Sequence, residues 1–155
     1  MAYAITTNFI RRQKMATEAS NHIKYLLATK VIDFANDTFK IALMATGFTF
    51  NKDTHEEWAD ASASELANGN GYTTNGATLA GVAVTEDDID NRTEVTWNNA
   101  TWTASGGAIG PTPGAIIYDT TAANSPIVGY IDFGSDQTQA DGGTATISNI
   151  EVRIS

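Results

Sequence analysis

The segment from Asp53 to Glu57 sets a histidine among carboxylates, the residue types that serve acid–base catalysis and metal binding. Its D-x-H-E-E spacing does not reproduce H-E-x-x-H, and the chain holds 2 histidines in all, so a catalytic zinc centre would need ligands from distant segments. A surface polar patch or an intersubunit hydrogen bond is the expected role of both His55 and His22. A second acidic cluster, Glu86, Asp87, Asp88 and Asp90 followed by Asn91, invites comparison with a calcium loop. Aligned from Asp88 on D-x-[DN]-x-[DN]-G, it places Arg92 at the third ligand position and Thr93 at the glycine, which excludes an EF-hand. It reads as a solvated hairpin tip whose charges discourage edge-to-edge aggregation. With no cysteine there is no disulfide, thiolate ligand or thiol nucleophile. The sequence contains neither G-x-S-x-G nor G-x-x-x-x-G-K-[ST], and the glycines near Gly69 and Gly106 lack the strand-to-helix setting of a dinucleotide site. No cofactor, metal centre or enzymatic activity is expected.

Aromatic side chains are the remaining chemical candidates. Trp58, Trp97 and Trp102 with Tyr72, Tyr118 and Tyr130 could stack on sugar rings, as in lectin-like sandwiches, but aromatics at alternating positions of a small β domain are more often core. Trp97 and Trp102 are therefore assigned to the core. Trp58, in a long connection, is the tryptophan expected at the surface.

The elements that must position these residues divide the chain at about residue 35. Ala19, Ile23, Leu26 and Leu27 fall at i, i+4, i+7 and i+8, one face of a helix over 17–28, with Thr17 or Ser20 as N-cap. Phe39, Ile41 and Leu43 alternate, as in a strand with one face in a core. The segment 46–67 is too long for a hairpin turn and reads as a structured surface excursion. Asn70-Gly71 and Asn75-Gly76 favour tight turns with positive φ. Further strands are expected over 78–84, 92–97, 100–104, 115–118, 127–133 and 145–154, with Asn98-Asn99 joining two of them as a hairpin. Residues 105–114, SGGAIGPTPG, read as a loop, since glycine and proline punctuate them too densely for a central strand. About eight short strands without intervening helices predict a mainly β chain: an antiparallel, jelly-roll-like β-sandwich with one N-terminal helix. The expected division is one domain over 1–155, with an arm over 1–15, a helix and lead-in over 16–35, and a sandwich body over 36–155.

Charge is distributed unevenly. Residues 1–40 hold six Lys/Arg against three Asp/Glu, and 41–155 hold three against fifteen, within a net charge of -9. The acidic body should repel polyanions, so nucleic acid is not an expected partner. No run approaches a membrane span and no secretory signal is present, so a soluble protein made in the cytoplasm is expected. The arm is the exception to the acidity: Phe9 and Ile10 lie beside Arg11, Arg12 and Lys14, a combination suited to an acidic protein surface.

Taken in order, FKIALMATGFTFNKDTHEEWAD, ELANGNGYTTNGATLAG, EVTWNNATWTA, GAIIYDT and PIVGYIDFG resemble a family of small structural proteins of tailed bacteriophages. Its members carry D-x-[IF]-K-[IV]-A-L, D-x-H, G-x-G-Y-T, V-T-W and P-[IL]-[IV]-G-Y-[IV]-D-F-G in that order, and the resemblance covers roughly residues 21–134. It implies a virion component without catalytic residues, most simply a capsid decoration (cement) protein that contacts the major capsid protein or another virion protein and forms a homo-oligomer. The alternative is a carbohydrate- or receptor-binding module of the tail or fibre. Phe9, Ile10, Arg11, Arg12, Lys14 and Trp58 are the expected partner contacts; residues 105–114 and the arm look like elaborations on the family pattern.

Overall fold

The computed structural model describes residues 16–155. Its strands are β1 (Ala16–Ala19), β2 (Phe39–Leu43), β3 (Ala77–Thr78), β4 (Ala83–Asp87), β5 (Arg92–Trp97), β6 (Ala100–Thr103), β7 (Ile109–Asp119), β8 (Ile127–Gln139), β9 (Thr144–Ile147) and β10 (Ile150–Ile154), with helices α1 (His22–Ala28) and α2 (Trp58–Ala61). The five-stranded sheet has the order β1-β8-β7-β2-β3. Opposite it lie a three-stranded sheet, β10-β5-β4, and the β6-β9 pair. All pairings are antiparallel. One core joins the layers: Phe39, Ile41, Leu43, Ile117 and Ile131 meet Val95, Trp97, Trp102, Ile147 and Val152. The mainly β antiparallel sandwich is therefore present as the sequence predicts.

The five-stranded sheet is covered on its other face too. Ala42, Met44, Ile116, Tyr118, Ile127 and Tyr130 form a second cluster with Trp58 and Ala61, flanked by Phe48 and Phe50 from the 46–67 excursion. In β2 the two faces alternate as period 2 demands, Ile41 and Leu43 to one cluster, Ala42 and Met44 to the other. In β8 the parity changes. Ile117 pairs with Gly129 and Tyr118 with Ile127, which leaves Val128 as the extra residue of a bulge, so Tyr130 joins the second cluster and Ile131 the first.

Several boundaries differ from the sequence-based expectation. The helix covers His22–Ala28 alone, because residues 16–19 pair along the open edge of β8, whose backbone groups would otherwise lack partners. The N-cap is Asn21, not Thr17 or Ser20, and its side chain makes no capping bond; Ser20 Oγ accepts the His22 N–H at 3.3 Å from one position earlier. β5 and β6 are not a hairpin; β5 lies between β10 and β4, and β6 pairs with β9. The expected strand over 145–154 divides where Asn149 takes φ 56° and sends β9 and β10 to different sheets. Ile109–Gly114, expected as loop, is the first half of β7. Its prolines are tolerated because β2 pairs with β7 only from Ala115 onward, leaving Pro111 and Pro113 on a stretch that pairs with β8 alone. The Asn-Gly turns form as expected, with positive φ at Asn70, Gly71, Asn75 and Gly76.

Candidate functional site

The D-x-H-E-E segment closes the excursion onto the sheet. The His55 ring lies against Phe48 and Phe50, with centroids at 5.3 and 5.6 Å, and its Nδ1 accepts the Asn51 N–H at 3.0 Å. Asp53 accepts a hydrogen bond from the Asn21 side chain, while the Asn21 N–H donates to the Lys52 carbonyl at 3.1 Å. Glu57 and Asp60 form a capping box at the start of α2. The Ile127 N–H donates to the Glu56 carbonyl at 2.8 Å, and the Trp58 N–H to the Ser125 carbonyl at 2.9 Å. His22 and Glu56 stand 3.9 Å apart. Every polar residue of the motif thus has work within the chain: Asp53 and Glu56 fasten the excursion to the start of α1 and to β8, while His55 and Glu57 order the excursion itself.

Trp58 is buried, contrary to the expectation that it lies at the surface. It stacks on Tyr118 with centroids 4.5 Å apart and planes within 4°. The reason is the second apolar face of the sheet, which needs a cover that a polar excursion without Trp58 would not supply. Tyr72, Tyr118 and Tyr130 are buried as well, and Trp97 and Trp102 are core residues as predicted.

Two polar centres carry little signal in the sequence. The Tyr72 hydroxyl accepts the Leu43 N–H at 3.0 Å and donates to Glu65 Oε1 at 2.7 Å. Burial raises the Glu65 carboxyl above its ordinary range, against the pull of the Tyr72 hydroxyl and the Asn75 and Gly76 N–H groups. Burial also raises the Tyr72 phenol and pushes Tyr118 up to about 12; the Tyr118 hydroxyl donates to the Asn75 carbonyl at 2.8 Å. The second centre is Asp119, fully buried at the end of β7. Its Oδ1 accepts N–H groups of Thr121 at 2.7 Å and Ala122 at 3.2 Å, while Oδ2 accepts no hydrogen bond. Burial pushes this carboxyl up, the two N–H groups pull it down, and the neighbouring Asp37 carboxylate adds to the rise. Glu65 belongs to no motif, and Tyr72 stands out in the sequence as an aromatic of G-x-G-Y-T and not as a hydrogen-bonding hydroxyl.

The acidic cluster after β4 is the tip of the β4–β5 hairpin. Arg92 gathers Asp87 at 3.1 Å, Asp90 at 3.0 Å and Glu94 at 2.6 Å, so an internal cation meets these charges. Among the described residues, no group of three His, Asp or Glu side chains is disposed to hold a metal ion, and no helix is long and apolar enough to cross a membrane. A groove of about 760 Å³ on β5 and β10 is lined by Glu94, Asn98, Asn149, Glu151 and Arg153. Its guanidinium is already held by Glu151, through hydrogen bonds of 2.7 and 3.0 Å. Phe9, Ile10, Arg11, Arg12 and Lys14 lie outside the described residues.

No family model, curated protein or solved structure matches the chain.

Proposed function

We propose that the chain is a structural protein of a tailed-bacteriophage virion, a capsid decoration (cement) protein whose copies bridge and stabilise shell subunits. One observation carries the reading: the motifs behind the resemblance occupy architectural positions. Phe39–Leu43 is an inner strand of the five-stranded sheet, Asp53 fastens the excursion to Asn21, and His55 orders it from within. The G-N-G-Y run delivers Tyr72 to Glu65 and Leu43, V-T-W puts Trp97 in the core, and the P-I-V-G-Y run opens β8 with its bulge. A pattern made of scaffold residues marks a shared scaffold, which is what a family of shell components without catalysis would keep. The work of such a protein is mechanical, adding interface area at subunit junctions and stabilising the assembled shell by mass action. Its contacts are the major capsid protein or another virion protein and further copies of itself, and its place is the virion.

The tail or fibre reading with a sugar platform loses its chief support, since Trp58 and the three tyrosines nominated for stacking are buried. Reconstitution tests the proposal. Shells depleted of this chain should rupture at lower temperature than native ones and regain their stability when the pure protein is added back. Unchanged rupture temperature with no rebinding would rule out the cement role.

A further inference from the structure

The β4–β5 hairpin overhangs the sandwich core and leaves a trough beneath it. Val84, Glu86, Thr93 and Ile154 share the inner face of the three-stranded sheet by register. Of these, Val84, Thr93 and Ile154 line a mainly apolar groove of about 520 Å³ together with Leu27, Ile32 and Phe34. A second groove, of about 280 Å³, continues it toward the hairpin tip through the shared residues Thr93 and Ile154 and is lined by Glu86, Asp87 and Asp88. The trough thus changes along its length from apolar to acidic. Val84 is 48% exposed and Ile89, at the tip, 91%. Glu86 and Asp88 have no ion pair among the described residues, whereas Arg92 is saturated by Asp87, Asp90 and Glu94. Among the described residues the outer edge of β4 has no strand partner, an opening for an extended segment to add to the sheet.

One segment of this chain has the complementary sequence. From residue 9 onward, Phe9 and Ile10 are followed by Arg11, Arg12 and Lys14, apolar and then basic, in a protein that is otherwise acidic. We propose that the trough receives residues 9–14 of a second copy of this chain, with Phe9 and Ile10 in the apolar part and the basic residues against Glu86 and Asp88. A neighbouring copy is favoured over the same copy by the tether. Lys14 is two residues from Ala16, fixed on β8 opposite Asp132, which limits its backbone reach to about 7 Å. β1 adjoins β10, and β4 lies two strands beyond, about 14 Å from β1, so Lys14 of a copy's own arm falls short of Glu86 and Asp88, whereas an arm from a neighbouring copy can bring Arg11, Arg12 and Lys14 to them together. Exchange between copies satisfies each trough with the same contact and lets the set close. This inference rests on reading residues 9–14 as a contact segment, not on assembly in a virion.

The test uses the full-length protein and no capsid. Light scattering coupled to gel filtration should find an oligomer that weakens with added salt. The pair Arg11→Glu/Arg12→Glu and the pair Glu86→Lys/Asp88→Lys should each raise the dissociation constant at least about tenfold, since each sets like charges face to face. Circular dichroism should find both variants folded, because Glu86 and Asp88 are exposed and the described buried core is built from Ile23 onward. Mixed in equal amounts, the two variants should regain the oligomer: each arm then finds a trough of opposite charge on the other protein. A wild-type monomer, reversals without effect, or a mixture that stays monomeric would overturn the inference. Location in the virion is read separately by labelling particles, so failure of one reading leaves the other standing.

Discussion

Replacing Tyr72 by phenylalanine removes one oxygen and two hydrogen bonds while keeping the ring that packs near Trp102. Leu43 is 1% exposed, so its N–H is left without acceptor or water, a loss of roughly 1–3 kcal/mol. Glu65 loses a hydrogen bond to a charged group, roughly 1.5–3 kcal/mol when buried and less here because the carboxylate is only half-buried. Together these predict a destabilisation of about 2–4 kcal/mol at pH 8. At about 2–4 °C per kcal/mol for a chain of this size, the melting temperature should fall by roughly 4–16 °C. The pH dependence is a second signature. Glu65 has a raised folded pKa, so its stabilising contribution is greatest below its unfolded pKa and is lost as pH rises through the folded value. Without the Tyr72 donor that value rises further, so the deficit of the variant should shrink from pH 8 to pH 5. Thermal melts of both proteins at the two pH values measure this. A Tyr72→Phe protein as stable as wild type at pH 8, or a deficit of the same size at both pH values, would refute the reasoning.

Trp58→Ala should cost about 3–5 kcal/mol, like Trp97→Ala, because both rings are buried; a folded, equally stable Trp58→Ala protein that has lost binding on a glycan array would instead restore the sugar-platform reading. Gly76→Ala should lower the melting temperature more than Gly47→Ala: both residues have positive φ, but a Cβ at Gly76 would meet the Ile41 carbonyl at 1.9 Å, whereas one at Gly47 meets nothing, and equal shifts would contradict the packing. Asp119→Asn should stabilise the protein at pH 8, by on the order of 1 kcal/mol, since an amide donor beside Asp37 replaces a buried charge. The raised Asp119 pKa means that its penalty grows as pH rises through the folded value, so the gain should fade toward pH 4 and a loss at pH 8 would count against it. Calcium or a chelator should leave the melting temperature unchanged; a specific site would shift stability by about 2.7 kcal/mol at a hundredfold excess of ligand over its dissociation constant.

Where one face of an element was buried, or one residue type demanded one geometry, the sequence was readable. Phe39, Ile41 and Leu43 announced β2, and the Asn-Gly pairs announced turns whose φ values only such residues adopt readily. What was hidden came from tertiary context. Ala19 continued a helical spacing with Ile23, yet an open edge on β8 drew residues 16–19 into a strand. Pro111 and Pro113 looked incompatible with β7 because nothing local indicated that β2 stops at Ala115. Trp58 looked exposed because the excursion is polar, and its burial depends on Ala42, Met44 and Ile116 forming a second apolar face on strands far away in sequence. The same holds for the candidate chemistry. Carboxylates near His55 and Arg92 were visible as clusters, but their partners, Asn21 and Phe48 for one and Glu94 for the other, come from the fold.

The central claim, a structural role in the virion shell, is tested most directly by electron microscopy of purified phage particles labelled with an antibody against this chain. The account predicts label distributed regularly over the head. Label confined to the tail or fibres, or particles without label, would contradict it.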